Sequence, residues 1–90
     1  MSIADELITR GWAQGFSERD DGSVCLRGAA AHATTGDILG AYDLPRPVDV
    51  ALRKATGTKF IATWNDAYAR TFDEVLRAAK EADEILDASR

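Results

Sequence analysis

The side chains best suited to covalent catalysis or metal binding are the single cysteine, Cys25, and the single histidine, His32. A reactive thiolate needs a base or a positive neighbour close by. On a helix through this stretch Arg27, two residues from Cys25, points elsewhere, and His32, seven residues on, shares its face but lies two turns away. No Cys–His dyad follows, and Cys25 reads as a buried, inert residue of that helix. One cysteine and one histidine cannot assemble a zinc site at the usual spacings. Gly36-Asp37 lacks the spaced glycines and following lysine of a phosphate loop. Acids are abundant, but no pair is placed by sequence to share work with a base. The chain is therefore read as not an enzyme, with no catalytic residues, no metal ligands and no cofactors.

The remaining chemistry is recognition, and it centres on Trp64-Asn65-Asp66 followed by Arg70. Asn and Asp side chains bond to nearby amides and so stabilise turns. On that reading Trp64 is a core anchor, and Asp66 holds the loop against Thr71 or Arg70. On the functional reading Trp64, Asn65, Asp66 and Arg70 are candidate protein-binding residues, polar groups beside an aromatic on a loop.

Helices must position that stretch. Thr71-x-x-Glu74 is a capping box, and Asp73 and Glu74 suit the positive end of a helix dipole. Phe72, Val75, Leu76, Ala79, Ala82, Ile85 and Leu86 then recur at helical spacing, which predicts a helix from Phe72 to about Ala88. Asp73 with Arg77, and Lys80 with Glu84, are oppositely charged pairs on its wet side. Upstream, Ser2 starts a first helix with Ile3, Leu7, Ile8, Gly11 and Trp12 on one stripe; Gly11 there implies close approach by another helix or an early end, and Gly15 is the expected terminator. Phe16 is expected to fold back on it. Residues 17–22 form a polar loop. Ser23 is preferred as the N-cap of a second helix, Val24 to about Ala33, over a hairpin closed by Asp21-Gly22, because no alternating partner lies upstream. Gly28 to Ala31 give this helix a small-sided face. Asp37 caps a short turn through Ala41, and Pro45-Arg46-Pro47 is a stiff joint. Pro47 fits the first position of a helix bearing Val48, Ala51, Leu52 and Ala55, which Thr56-Gly57 ends. Residues 59–63 suit a short helix or an extended segment. The expectation is an all-α, small single-domain helical bundle of about four to five helices, covering residues 1–90.

Ninety residues support one small core. The 46% hydrophobic fraction is rich in alanine, so Leu7, Ile8, Trp12, Phe16, Leu26, Leu39, Leu44, Leu52, Phe60, Ile61 and Trp64 are the large upstream candidates for it. The formal net charge of −4, without a Lys/Arg cluster, argues against nucleic acid as a partner. A helix-turn-helix DNA-binding regulator over residues 37–55 is a lesser alternative, as is an enzyme: the joint is stiff for the usual turn, and the recognition helix offers only Arg53 and Lys54. The acidic face of the last helix is broken by Arg77, Lys80 and Arg90, as in an ordinary solvated face rather than a nucleic-acid mimic. No apolar run is long enough for a membrane span, no signal peptide is visible, and a lone cysteine suits a reducing compartment. A cytoplasmic protein without membrane contact is expected.

Trp12-Ala13-Gln14-Gly15, Arg19-Asp20-Asp21-Gly22, Cys25-Leu26-Arg27-Gly28-Ala29, Trp64-Asn65-Asp66 and Arg70-Thr71-x-x-Glu74-Val75 together resemble a small helical family of unknown function found in actinobacteria and their phages. The Trp-Asn-Asp … Arg-Thr-x-x-Glu-Val part is the most specific, and the middle, roughly 32–60, carries no quoted motif. In that family an aromatic tends to precede the cysteine; this chain has Val24. The resemblance implies an intracellular all-helical domain, no known activity, and a phage or mobile-element origin with a role acting on a host protein. The expected function is a small protein-interaction module, a modulator of a host protein, with a protein as partner. The alternative is a self-associating module, a homodimer paired through the Gly28–Ala31 face and the stripe after Thr71.

Overall fold

The computed structural model describes residues 2–89. Its longest helix, Phe72–Ala88, is capped as the sequence requires. The Glu74 amide donates to Thr71 Oγ1 (3.2 Å), and the Thr71 amide donates back to the Glu74 carboxylate (3.0 Å). That amide is the main cause holding the Glu74 carboxyl below the ordinary glutamate value; Arg70 adds to it. The box is complete above the usual glutamate range and weakens as pH falls through the lowered value. The ion pair that forms here is Arg70–Glu74, at 3.1 Å. Asp73–Arg77 and Lys80–Glu84 form none among the described residues, in keeping with the few tenths of a kcal/mol at stake (about 0.2–0.5).

Four helices precede it: α1 (Ile3–Arg10), α2 (Leu26–Thr35), α3 (Arg46–Thr56) and α4 (Ile61–Asn65), with a 3-10 turn over Ile38–Tyr42; the last helix is α5. The architecture is the expected small all-α domain. The undecided segment 59–63 resolves as the approach to and body of α4. Pro47 sits one place later than expected, since α3 begins at Arg46. Asp37 caps the 3-10 turn through the Leu39 amide (3.0 Å).

α5 lies across α1 and α3, while α2 packs between α1, the 3-10 turn and α4. Asp83 of α5 reaches across to accept from the Ile3 and Ala4 amides (2.9 and 3.1 Å). It thereby satisfies two amides that the α1 start leaves free, beside the Ser2 cap on Asp5.

The first two helices end and begin elsewhere than predicted, for one reason. Val24 belongs to a loop that pairs with itself. It bridges Trp12 in parallel and Glu18 in antiparallel fashion. The Ala13 amide donates to Val24 O and the Val24 amide to Gly11 O (both 2.9 Å). On the other side the Arg19 amide donates to Ser23 O (2.8 Å) and the Cys25 amide to Ser17 O (3.2 Å). The chain must therefore leave α1 at Gly11, whose φ of 89° only glycine adopts easily, rather than at Gly15. For the same reason α2 begins two residues late. Cys25 Sγ, not Ser23, caps it by accepting from the Gly28 amide (3.3 Å). Ser23 is held by Asp21 instead, through both amide and hydroxyl. The hairpin reading set aside from sequence was thus the nearer one, though the pairing is one bridge long on each side.

The core is built around Ile3, Leu7, Val24, Leu26, Leu52, Ile61 and Val75, with alanines of α2, α3 and α5 filling between them. Ile8, Phe16, Leu39, Phe60 and Phe72, expected inside, are exposed. Ile8 and Phe60 lie next to Leu7 and Ile61, which take the inward positions on their segments. Trp12, Trp64 and Leu76 pack only partly against the core. The face from Gly28 to Ala31 is fully enclosed, with Ala29, Ala30 and Ala31 at 0% exposure, and Val75, Ala78, Ala79 and Ala82 are equally inside. The Gly28–Ala31 face is thus taken up within the chain, while Phe72, Leu76, Ile85 and Leu86 of the stripe after Thr71 keep some exposure.

Gly28 is where the loop and α2 meet. A Cβ there would lie 2.1 Å from the Ser17 carbonyl oxygen. Alanine favours a helix over glycine by about 1 kcal/mol, but a backbone oxygen cannot move aside cheaply. We expect Gly28→Ala to be destabilising by about 1–3 kcal/mol net, read from the urea midpoint.

Candidate functional site

The four candidate binding residues do not form one surface. Asn65, at the end of α4, is 0% exposed. Its Oδ1 accepts from the Trp12 indole (2.8 Å) and from the Leu26 amide (3.1 Å). Its Nδ2 donates to Ala13 O (3.0 Å) and to Asp66 Oδ1 (2.9 Å). All four bonds that a carboxamide commonly makes are formed inside the protein. The Asn65 side chain therefore cannot contact a partner, and its place in the recognition patch is corrected to an internal one.

Around it, Gln14 Nε2 donates to the Asn65 and Ala67 carbonyls (3.0 and 3.1 Å), and the Gly15 amide donates to Asp66 Oδ1 (3.0 Å). Asp66 holds a loop, as the turn reading had it, but the loop is at Gly15 rather than at Thr71 or Arg70. Arg70 stacks on Trp64, 4.0 Å from the ring centroid, and donates to the Trp64 carbonyl (2.9 Å) and to Glu74. Trp12 stacks on Phe72 with ring centroids 6.4 Å apart. Trp64 and Arg70 remain partly accessible, while Asp66 is exposed.

Asp66 also lines a groove of about 460 Å³ between the 15–17 turn, the 3-10 turn and the start of α4. Three rings stand around it: Phe16 and Phe60, each 62% exposed, and Tyr42, 80% exposed. Buried Cys25, Ala41 and Ile61 line its inner wall. Arg27 and Lys59 supply positive charge. The Arg27 guanidinium donates through Nε and Nη2 to the Ala41 carbonyl, fixing its position and tying α2 to the 3-10 turn. Lys59 Nζ lies 5.2 Å from the Phe60 ring centroid.

No periodic pattern marks these rings: hydrophobicity alone points Phe16 and Phe60 inward, and Tyr42 lies in no motif. The available hint was competition: Phe60 adjoins the β-branched Ile61, and Phe16 stands between Gly15 and Ser17 with no helical partner.

Cys25 touches the groove without being its reagent. Burial pushes its thiol pKa up, against weaker opposite contributions from the Gly28 and Arg27 amides. No group of three or more His, Cys, Asp or Glu side chains among the described residues could hold a metal ion. No helix among them is long and apolar enough to cross a membrane.

The chain belongs to a family of unknown function, DUF6197, whose pattern matches residues 2–84. Neither the curated proteins nor the solved structures offer a match. The family match covers both the segments that meet at Asn65 and the groove, and assigns a role to neither.

The geometry separates the two. Replacing Asn65 with Leu orphans the Leu26 amide and the Ala13 carbonyl, so a loss of about 2–5 kcal/mol is expected in urea unfolding. Tyr42→Ser, at a solvated ring, should change stability by less than about 0.5 kcal/mol in the same measurement. The Cys25 thiol should react with Ellman's reagent at least about 100-fold more slowly in the native protein than in urea, because it is both buried and held protonated.

Proposed function

We propose that this chain is a small cytoplasmic protein-interaction module that acts by binding, without catalysis, through the groove rimmed by Phe16, Tyr42 and Phe60. The observation that carries this reading is the exposure of three large rings around one recess. Burying such a side chain contributes about 1.5–3 kcal/mol, and a domain of this size has little stability to spare. Here alanines fill the interior while the aromatic rings stay in water, which favours a surface covered on binding. The three rings come from separate segments that the fold holds in place, so the surface is preformed. In the setting that the sequence resemblance suggests, the partner is a host protein and the chain is its phage- or mobile-element-encoded modulator.

The test is affinity capture from a lysate of the source organism with the tagged full chain, the Tyr42→Ser/Phe60→Ser double variant, and Arg70→Ala. One near-stoichiometric protein should be retained by the unaltered chain and by Arg70→Ala. The groove variant, with an unchanged circular dichroism spectrum, should hold it at least about tenfold less well. Loss with Arg70→Ala alone would move the surface to the Trp64 edge. No retained protein, with sedimentation reporting a dimer that the groove variant abolishes, would replace a foreign partner by self-association.

A further inference from the structure

We propose that the occupant of the groove is an acidic segment of a partner protein. It would set apolar side chains among Phe16, Tyr42 and Phe60 and a carboxylate against Arg27 and Lys59. This rests on the groove being the interaction surface.

The argument is one of charge. The chain as a whole carries −4, yet the groove is lined by two cations and one acid. The acid, Asp66, already has Oδ1 engaged by the Gly15 amide and by Asn65 Nδ2. Neither Arg27 nor Lys59 has an ion pair among the described residues. Arg27 is held in advance: Nε and Nη2 share the Ala41 carbonyl, and Nη1 keeps unused donors. A carboxylate meeting a guanidinium already fixed in place loses less side-chain freedom than one meeting a mobile lysine. Lys59 is exposed over Phe60 and can follow the ligand. Arg19, 5.5 Å from the centroid of the Phe16 ring, extends the positive edge beyond the groove.

Flat rings beside cations also suit single-stranded nucleic acid. Such binding draws on many phosphate contacts, however. Two lining cations under a net field of −4 do not support a polyanion. A peptide with a few carboxylates and apolar anchors matches both the number of charges and the apolar area.

The experiment is selection of a displayed random library of peptides of about 12 residues on the immobilised full chain. Enriched peptides are then synthesised with a fluorophore and titrated by anisotropy, beside a labelled oligothymidine of similar length. Enrichment in Asp and Glu together with Phe, Trp or Leu is expected. Affinity should fall at least about tenfold for Lys59→Glu and for Phe60→Ser, both exposed positions, and should weaken as salt is raised to physiological strength. Selection on Lys59→Glu should lose the acidic bias. Neutral or basic peptides that still need Phe60 would overturn the acidic partner while leaving the groove as the binding surface. No enrichment, or enrichment indifferent to Phe60, would overturn both. Oligothymidine bound more tightly than any selected peptide would replace the protein partner by nucleic acid.

Discussion

One carboxamide holds the non-helical part of this protein to its helices. The regular pairing within residues 11–25 is limited to single-residue bridges at Val24, and an isolated bridge is too weak to fix a loop in water. Asn65 supplies the most buried of the remaining ties. It accepts from the first residue of α2 and from the Trp12 indole, and it donates to Ala13 O. Asparagine suits the position because only a carboxamide offers donors and an acceptor on one short planar group. Aspartate would face the Ala13 carbonyl without a proton to give, and leucine would leave every partner unmet. In a dry site such unmet groups cost more than the bonds contribute when formed.

The stretches that drew attention in the sequence are largely each other's partners. Trp12, Ala13, Gln14 and Gly15 meet Asn65, Asp66 and Ala67 through side-chain and backbone bonds. Arg70 braces Trp64 and the α5 cap. Residue choices this specific resemble a recognition site when read in one dimension, because buried networks and binding sites both need polar groups of fixed geometry. Burial tells them apart. A second strap, from Glu6 through Arg10 and Glu18 to His32, ties the same loop to α1 and α2. With both in place, the turn at Gly15 and the Phe16 ring after it are held at the groove edge, so the clasp shapes the site without belonging to it.

The helices were legible from sequence because their signals are local. The Thr71–Glu74 box, the Asp37 cap and the stop at Gly57 each depend on residues within a few positions, and each is formed as expected. The start of α2 was misplaced because its cause is not local: Val24 is drawn into extended pairing with residues 6 and 12 positions upstream. The binding candidates divide in the same way. The Asp-Gly hairpin signal was present but had no alternating strand to support it, and Asn65 needed partners about 40–50 residues away that no spacing rule connects.

The exposed rings follow from a limit on what a short chain can enclose. Each inward position near α4 is contested. Ile61 takes the core site next to Phe60, and Ala41 takes the one next to Tyr42. With alanines on α2, α3 and α5, the helices sit close, and no room is left for a phenylalanine between them. The close approach is plain at Gly28, where a single added Cβ would meet the Ser17 carbonyl. Tight packing of the interior and an aromatic rim on its surface are thus two results of the same residue sizes. The rim can vary in chemistry without disturbing Asn65, because no hydrogen bond of the clasp uses a side chain from Phe16, Tyr42 or Phe60.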